Sequence, residues 1–323
     1  MTTEDFLNEW RSPSSQVRLQ TSGSTGAPKV LYADKERLRA SARMTCDFLG
    51  LREGDSALLC LSCDYIAGKM MVVRALERGL QLLEVTPSNR PLETLEHDHP
   101  YIRSIDLAAM VPSQVFCSID HPLLPCIRNL IIGGGAISPE LEEKLHGLPN
   151  AVWSSYGMTE TLSHIALRRV NGSEAQEWYT PLPGVSVSLN RDDCLCIDAP
   201  ALSAQPLVTN DIAELSSSGS FRILGRRDNV IISGGLKLQT EVLEAELRPL
   251  LAASDDNISF CVTSRPSAKF GEEAVLLVVP ELLPLASEIH HSYIKAVILV
   301  AGIPLTATGK IDRAAARQLA AAN

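Results

Sequence analysis

The chain has 323 residues, with 29 basic and 38 acidic side chains and a formal net charge of -9. That balance argues against nucleic acid as the main partner, because neutralising phosphates takes a basic face, though it leaves room for a small anion in a locally basic pocket. The length suits about two domains, and the longest apolar stretches, such as Ala296 to Leu305, are too short to span a bilayer. The opening residues MTTEDFLNEW are acidic and lack an apolar centre, so they do not read as a secretory signal. Of the eight cysteines, Cys60 and Cys63 have CxxC spacing, but they lie in an apolar, strand-like run and no second pair stands at zinc-site spacing. Reduced, mostly buried thiols in a cytoplasmic protein are the expectation.

In chain order, a glycine- and hydroxyl-rich loop, Thr21 to Lys29, leads into a strand beginning Val30-Leu-Tyr. Lys35–Leu49 and Ile66–Arg78 have helical spacing, the second with Asp64 as the expected cap. Ala57–Ser62, Gln81–Val85 and Asn129–Ile132 are short apolar runs suited to strands buried on both faces. Ser138-Pro139-Glu140 opens another helix, with Ser as N-cap, Pro in the first position and acids in the first turn. This alternation predicts an α/β fold. After about Thr180, short segments with turn residues (Gly184–Leu189, Cys194–Ile197, Ala213–Leu215, Phe221–Leu224) predict a small β-rich subdomain. From about Asp228 a compact α+β unit follows: strand Val230–Ile232, helix Thr240–Leu251, strands Ile258–Thr263 and Ala274–Val279, and a Lys/Arg-rich terminal helix. The expected domains are 1–227 and 228–323.

The loop Thr21-Ser-Gly-Ser-Thr-Gly-Ala-Pro-Lys29 carries the most chemistry. Gly23 and Gly26 let several backbone N–H groups converge, Thr21, Ser22, Ser24 and Thr25 add hydroxyl donors, and Lys29 adds a positive charge at the exit. Such a loop cradles a polyphosphate. It is not a Walker A loop, because Lys29 follows Gly26 by three and no Ser or Thr follows it.

This loop resembles the phosphate loop of the adenylate-forming superfamily, which includes acyl- and aryl-CoA synthetases, luciferases and peptide-synthetase adenylation domains. Five further segments resemble that superfamily's motifs in the same order. Gly133-Gly-Gly-Ala-Ile-Ser-Pro-Glu140 is similar to the loop against adenine, which implicates Gly134, Gly135 and Ala136. Ser154-Ser-Tyr-Gly-Met-Thr-Glu-Thr161 resembles the family's most recognisable signature. The resemblance implies nucleotide contacts from Ser155, Tyr156, Gly157 and Met158, a phosphate contact from Thr159, and Mg²⁺ held by Glu160. Val208-Thr-Asn-Asp-Ile212 is similar to the Thr-Gly-Asp segment, with Asp211 on the ribose. Here Asn210 replaces the usual Gly, and Asn tolerates positive φ better than most residues. Phe221 to Lys237 resembles the inter-domain hinge. It implies nucleotide contacts from Ile223 and Arg226, a pivot at Asp228, and a route for the CoA thiol along Ser233, Gly234 and Gly235. Pro304 to Arg313 resembles the terminal motif, whose lysine, here Lys310, drives adenylation. The implied fold is a truncated large adenylate-forming domain, an α/β sheet plus a β-rich subdomain, followed by a small mobile α+β domain. The implied cofactors and substrates are ATP, Mg²⁺, CoA and a carboxylic acid.

Members of this superfamily usually carry a long region ahead of the phosphate loop, and here twenty residues precede it. The polar start at Met1 favours a complete, minimal member over a fragment. The chain is similar to short o-succinylbenzoate–CoA ligases of menaquinone biosynthesis, notably in Asp64 to Arg74 and Arg227 to Gly235. Tyr65, Lys69 and Arg74 fall at the acyl-pocket position, where a fatty acid would call for apolar residues. A diacid leaves one carboxylate to be held as an anion, and a partly buried cation is its natural partner. Lys69, near the expected helix start, is favoured for this role; Arg74 divides evenly between pocket and solvent. Other readings are a different aryl or acyl substrate, a carrier-loading enzyme, and a degenerate nucleotide-binding protein. The oligomeric state is open between monomer and homodimer.

Overall fold

A computed structural model describes residues 1–20, 30–251, 258–306 and 310–323. Two compact units emerge from its contacts. The first comprises Met1–Ser188, Cys196–Leu207 and Leu215–Arg222; the second comprises Leu189–Leu195, Val208–Glu214 and Ile223–Asn323.

The first unit opens with α1 (Thr3–Arg11), started by a capping box between Thr2 and Asp5. Strands β1 (Gln16–Gln20) and β2 (Val30–Asp34) pair antiparallel. Then follow α2 (Lys35–Phe48), β3 (Ser56–Leu59), α3 (Ile66–Arg78), β4 (Gln81–Glu84), α4 (Pro91–Asp98), β5 (Ile105–Met110), α5 (Pro112–Cys117), β6 (Ile127–Ile132), α6 (Pro139–His146), β7 (Ala151–Gly157), β8 (His164–Arg169) and β9 (Thr180–Pro181). One sheet gathers them in the order β4-β3-β5-β6-β7-β8-β9. It is parallel from β4 to β7 and antiparallel beyond.

Period-two alternation explains why these strands read as uninterrupted apolar runs. Ala57 and Leu59 of β3 and Ile131 of β6 face one core with α1, α2 and α3. Leu58, Cys60, Leu130 and Ile132 face the other, with Leu92, Leu95, Val115, Leu141 and Leu145 from α4, α5 and α6. Helices therefore cover both faces, as a parallel sheet requires. β3 sits between β4 and β5, so the direction of winding reverses there. Open sheets of this kind bind ligands beyond the carboxyl ends of their strands, near such a reversal.

Strands β10 (Ser186–Leu189), β11 (Cys194–Asp198), β12 (Leu207–Leu215) and β13 (Phe221–Arg226) form a separate sheet in sequential order. The second unit continues with β14 (Val230–Ser233), β15 (Leu236–Gln239), α7 (Thr240–Leu250), β16 (Phe260–Ser267), β17 (Gly271–Val278), α8 (Leu283–Glu288), β18 (Ile294–Leu299) and α9 (Arg313–Ala322). Its sheet runs β15-β14-β17-β16, with β18 parallel to β17. Leu243, Leu247 and Ala286 pack with Val262, Leu276 and Val278 on one face. Ala316 and Ala320 of α9 pack with Cys261, Val275 and Leu277 on the other.

Some expectations need correcting. Asp64 does not cap α3. The N-cap is Tyr65, without a side-chain bond, and the Asp64 carboxylate instead accepts from Ser62 Oγ at 2.9 Å. The terminal helix is alanine-rich, with Arg313 and Arg317 its only charges. None of the eight cysteines forms a disulfide among the described residues; Cys117 and Cys126 are exposed and Cys196 half-buried, so five are buried. No helix among the described residues is long and apolar enough to cross a membrane.

In the second unit a half-buried ion pair roots α9. Both Glu244 oxygens accept from Arg313, at 2.5 and 2.8 Å, and Glu244 Oε1 also accepts from Val262 N at 2.8 Å. Removing one partner of such a pair strands the other charge. Glu244→Ala should destabilise the second unit by about 2 kcal/mol, read as a lowered urea midpoint. An unchanged midpoint would mean the pair contributes nothing.

Candidate functional site

The chemistry-bearing segments of the first unit follow the carboxyl ends of neighbouring strands. Gly133, Gly134, Gly135 and Ala136 directly follow β6, and Gly133 N donates to Met110 O at the end of β5. Gly134, Gly135 and Ala136 are exposed. β7 carries Ser155, Tyr156 and Gly157 and runs into Met158 and the single turn Thr159–Thr161. Ser155 Oγ donates to Ile132 O at 3.1 Å, which ties the two segments together. Tyr156 stands edge-on to Phe221, with centroids 5.1 Å apart, and beside Tyr179 at 5.9 Å. Half-buried Thr159 and exposed Glu160 project from the turn.

The turn into β8 is pinched. Gly157 pairs with His164 across a register shift, and a Cβ at Gly157 would fall inside the backbone of Ser163 and His164. Only glycine fits there. Leu162 adopts φ 65, a left-handed value unusual for leucine, and is held by burial.

Thr21, Ser22, Gly23, Ser24, Thr25, Gly26 and Lys29 lie outside the described residues. The acyl-pocket candidates are described and separate clearly. Tyr65 is 49% exposed. Lys69 and Arg74 are both buried in α3. Five residues apart on a helix, they leave on faces roughly 140° apart. Lys69 Nζ donates to Arg18 O and lies 5.4 Å from the Phe6 ring centroid, so its hydrogen bonding serves α1 and β1. Arg74 turns the other way. Its Nη2 donates to Ser163 Oγ at 2.7 Å and to Thr45 Oγ1 at 3.4 Å, its Nη1 reaches Met71 Sδ, and its Nε has no partner among the described residues. Burial pushes the guanidinium down to about 10. Sequence reasoning missed Thr45, Ser163 and His164. Periodicity places Thr45 inside α2, but nothing in a linear pattern couples it to a residue 29 positions on.

In the second unit, Asp211 is buried and Arg226 Nη1 donates to its carboxylate at 3.2 Å. Arg226 Nη2 donates to Asp228 at 2.8 Å, and Asn210 Nδ2 donates to the same Asp228 oxygen at 3.2 Å. Asn210 therefore does not supply positive φ: it lies within β12, and its side chain engages the residue expected as the pivot. Ile223 lies half-buried in β13. Thr306 N donates to Lys310 O at 2.7 Å, and Leu305 bridges Ile311 antiparallel. The surrounding protein lowers the Lys310 ammonium below the ordinary range; nearby Arg226 adds to the effect and Asp211 opposes it. Ser233 is buried. Gly234 and Gly235, at φ 58 and 87, form the two-residue turn joining β14 to β15. Phe270 packs on Gly234 and is flanked by Lys269 and Lys295, with ammonium groups 5.0 and 5.9 Å from its ring centroid. These three were also missed, because an aromatic between lysines at separate sequence positions has no linear signature.

Among the described residues no group of three or more His, Cys, Asp or Glu could hold a metal ion. Magnesium seldom needs one: it is bound through one or two carboxylates together with substrate phosphates. Glu160, an exposed single carboxylate beside Thr159, fits that mode.

His164 is buried beside Arg74, and burial first, then the Arg74 charge, hold its imidazole well below the usual range. The unfolded chain therefore takes up the proton first. Stability should be intact above about pH 6.5 and should fall as pH drops below it, by at most about 1.4 kcal/mol per unit. Urea titrations of the first unit at several pH values should show His164→Gln losing that part of the slope; equal slopes would contradict the burial.

The family profile for AMP-binding enzymes matches residues 17–195. A 2-succinylbenzoate–CoA ligase of Listeria monocytogenes is 24% identical over 96% of this chain and 71% of its own length. A solved acyl-CoA synthetase (AMP-forming)/AMP-acid ligase II-like protein from Dyadobacter fermentans is 34% identical, covering 96% of this chain and 91% of that one at a TM-score of 0.65. The o-succinylbenzoate coenzyme A synthetase of Bacillus subtilis, solved with ATP and magnesium ion, shares the fold at 21% identity and a TM-score of 0.74, over 92% of this chain and 68% of that one.

Proposed function

Since the chain belongs to the AMP-binding enzyme family, we propose that it is an ATP-dependent acid–thiol ligase acting on a diacid of the o-succinylbenzoate type. A carboxylate oxygen attacks the α-phosphorus of ATP and pyrophosphate leaves. The sulfur of coenzyme A then attacks the acyl carbon and AMP leaves.

The observation that carries the choice of acid is Arg74. Among the described residues this buried guanidinium finds two hydroxyls and a thioether but no carboxylate, and one of its donors is orphaned. Leaving a buried charge so poorly matched is costly unless a ligand completes it. The free carboxylate of a diacid would do so with charge-assisted bonds. Lys69 was the sequence's favoured candidate, but its bond to the Arg18 carbonyl makes it the weaker one.

The remaining roles follow from charge. Gly134 to Ala136 and Tyr156 to Met158 are assigned to the nucleotide, and Asp211 to the ribose hydroxyls. Thr159 and Arg226 are assigned to the phosphates. Magnesium held by Glu160 and the substrate phosphates would neutralise charge there. Lys310, as a cation, would stabilise the charge that builds on the α-phosphoryl group. A different face of the second unit suits the acceptor: Ser233, Gly234 and Gly235 for the thiol arm, and Lys269, Phe270 and Lys295 for its phosphates and adenine. Cysteines without a disulfide among the described residues fit a reducing compartment, and the cytoplasm is the proposed location.

Pyrophosphate exchange into ATP should require Mg²⁺ and o-succinylbenzoate, and should be weak with 3-benzoylpropionate, which lacks the ring carboxylate. Arg74→Met should cut turnover of the diacid by about 10–100-fold and erase that discrimination, whereas Lys69→Met should keep it. The reverse pattern would move the anion to Lys69, and no exchange with any acid would end the ligase reading.

Lys310→Ala should slow acyl-adenylate formation by about 10²–10³-fold while thioester formation from preformed acyl-AMP survives. Its lowered ammonium also sets a sign: adenylation should fade on the alkaline side, as Lys310 loses its proton, before an ordinary lysine would. Equal loss of both half-reactions would argue against separate faces for the two steps.

A further inference from the structure

Beside Arg74, β8 brings a second ionisable group, His164, that the reaction above does not use. His164 Nε2 lies 3.0 Å from Thr45 Oγ1, the same atom that meets Arg74 Nη2. Thr45 is fully buried and its hydroxyl also donates to Ser41 O, one helical turn back, at 3.2 Å. A hydroxyl has one hydrogen and two lone pairs. With the hydrogen spent on Ser41, the oxygen accepts twice, once from Arg74 and once from His164. That accounting satisfies every contact and makes His164 the neutral tautomer protonated at Nε2.

We propose that His164 is a positioning residue for acid selection. By filling one lone pair of Thr45 Oγ1, it leaves a single place for Arg74. The guanidinium is then pinned between Thr45 and Ser163, with Nε kept as the donor for the substrate's second carboxylate. Three structural facts converge on this. Donors from two different elements, α3 and β8, share one buried hydroxyl of a third, α2. His164 is fixed in turn by the pinched pairing with Gly157. The adjacent Ser163 supplies Arg74's other hydroxyl partner. A rigid backbone feature is thereby transmitted through two side chains to the rotation of one guanidinium, which is the kind of support a binding group needs.

The inference rests on Arg74 holding the second carboxylate, and the experiment separates the two ideas. KM and kcat would be measured for o-succinylbenzoate and for 3-benzoylpropionate. The enzymes would be wild type, His164→Leu, His164→Gln, Thr45→Val, Arg74→Met and the Arg74→Met/His164→Leu double variant. His164→Leu and Thr45→Val should each raise KM for the diacid about tenfold, with kcat within about threefold and the KM of the analogue nearly constant. His164→Gln, whose amide can still donate to Thr45, should recover most of the loss. In the Arg74→Met background His164→Leu should add nothing. A KM rise shared by both acids, or an additive double variant, would overturn the proposal. If Arg74→Met abolishes discrimination while His164→Leu and Thr45→Val leave it intact, this inference fails alone. If Arg74→Met leaves discrimination intact, the reading of Arg74 fails first. Should His164→Leu not fold, Thr45→Val and His164→Gln decide the matter by the same criteria.

Discussion

The backbone of Gly157 approaches that of Ser163 and His164 so closely that no side chain can stand between them. This constraint organises the first unit's site. It forces β7 to turn sharply at its carboxyl end, which throws Thr159 and Glu160 outward and returns the chain into β8 with Ser163 and His164 facing inward. Of the outward pair, Glu160 is exposed and Thr159 half-buried. The inward pair meets Arg74 and Thr45. One backbone pinch therefore separates the residues proposed for the nucleotide from those proposed for acid recognition.

The sheet supplies the frame for that division. Because β3 to β7 are parallel and buried on both faces, their carboxyl ends lie along one edge, and the loops leaving them cannot pack inward without stranding backbone polar groups. Gly133 to Ala136 and Tyr156 to Glu160 are thus brought side by side by strand pairing. α3, which follows β3 at the winding reversal, delivers Arg74 to the neighbourhood of the same β7–β8 turn.

Much of this was legible beforehand, for physical reasons. Runs such as Ala57 to Leu59 announce double-sided burial, and a strand, helix and turn grammar followed from glycine, proline and period. β5 was not legible: Ile-Asp-Leu-Ala-Ala-Met has little β-branching and two alanines, and it becomes a strand because β3 and β6 hold it. Asp64 was misread because its carboxylate finds Ser62 before it finds the helix. Lys69 and Arg74 look alike in sequence. What separates them is the arrival of Arg18 on one side of α3 and Ser163 on the other, both long-range facts. Asn210 was read as a matter of backbone conformation, but what its side chain does is donate to Asp228.

The cysteines give the two units separate chemical clocks. Cys60 lies in the first sheet's core and Cys261 in the second unit's, and burial pushes both thiols up to about 12. Neither presents a thiolate while its own sheet is closed, whereas Cys117 and Cys126 stand at the surface. An alkylating reagent applied to the native protein thus consumes the surface thiols at once. It reaches the other two only at the rate at which each sheet breathes open. The order in which alkylated peptides accumulate would rank the local stabilities of the two units within a single molecule, without any introduced label.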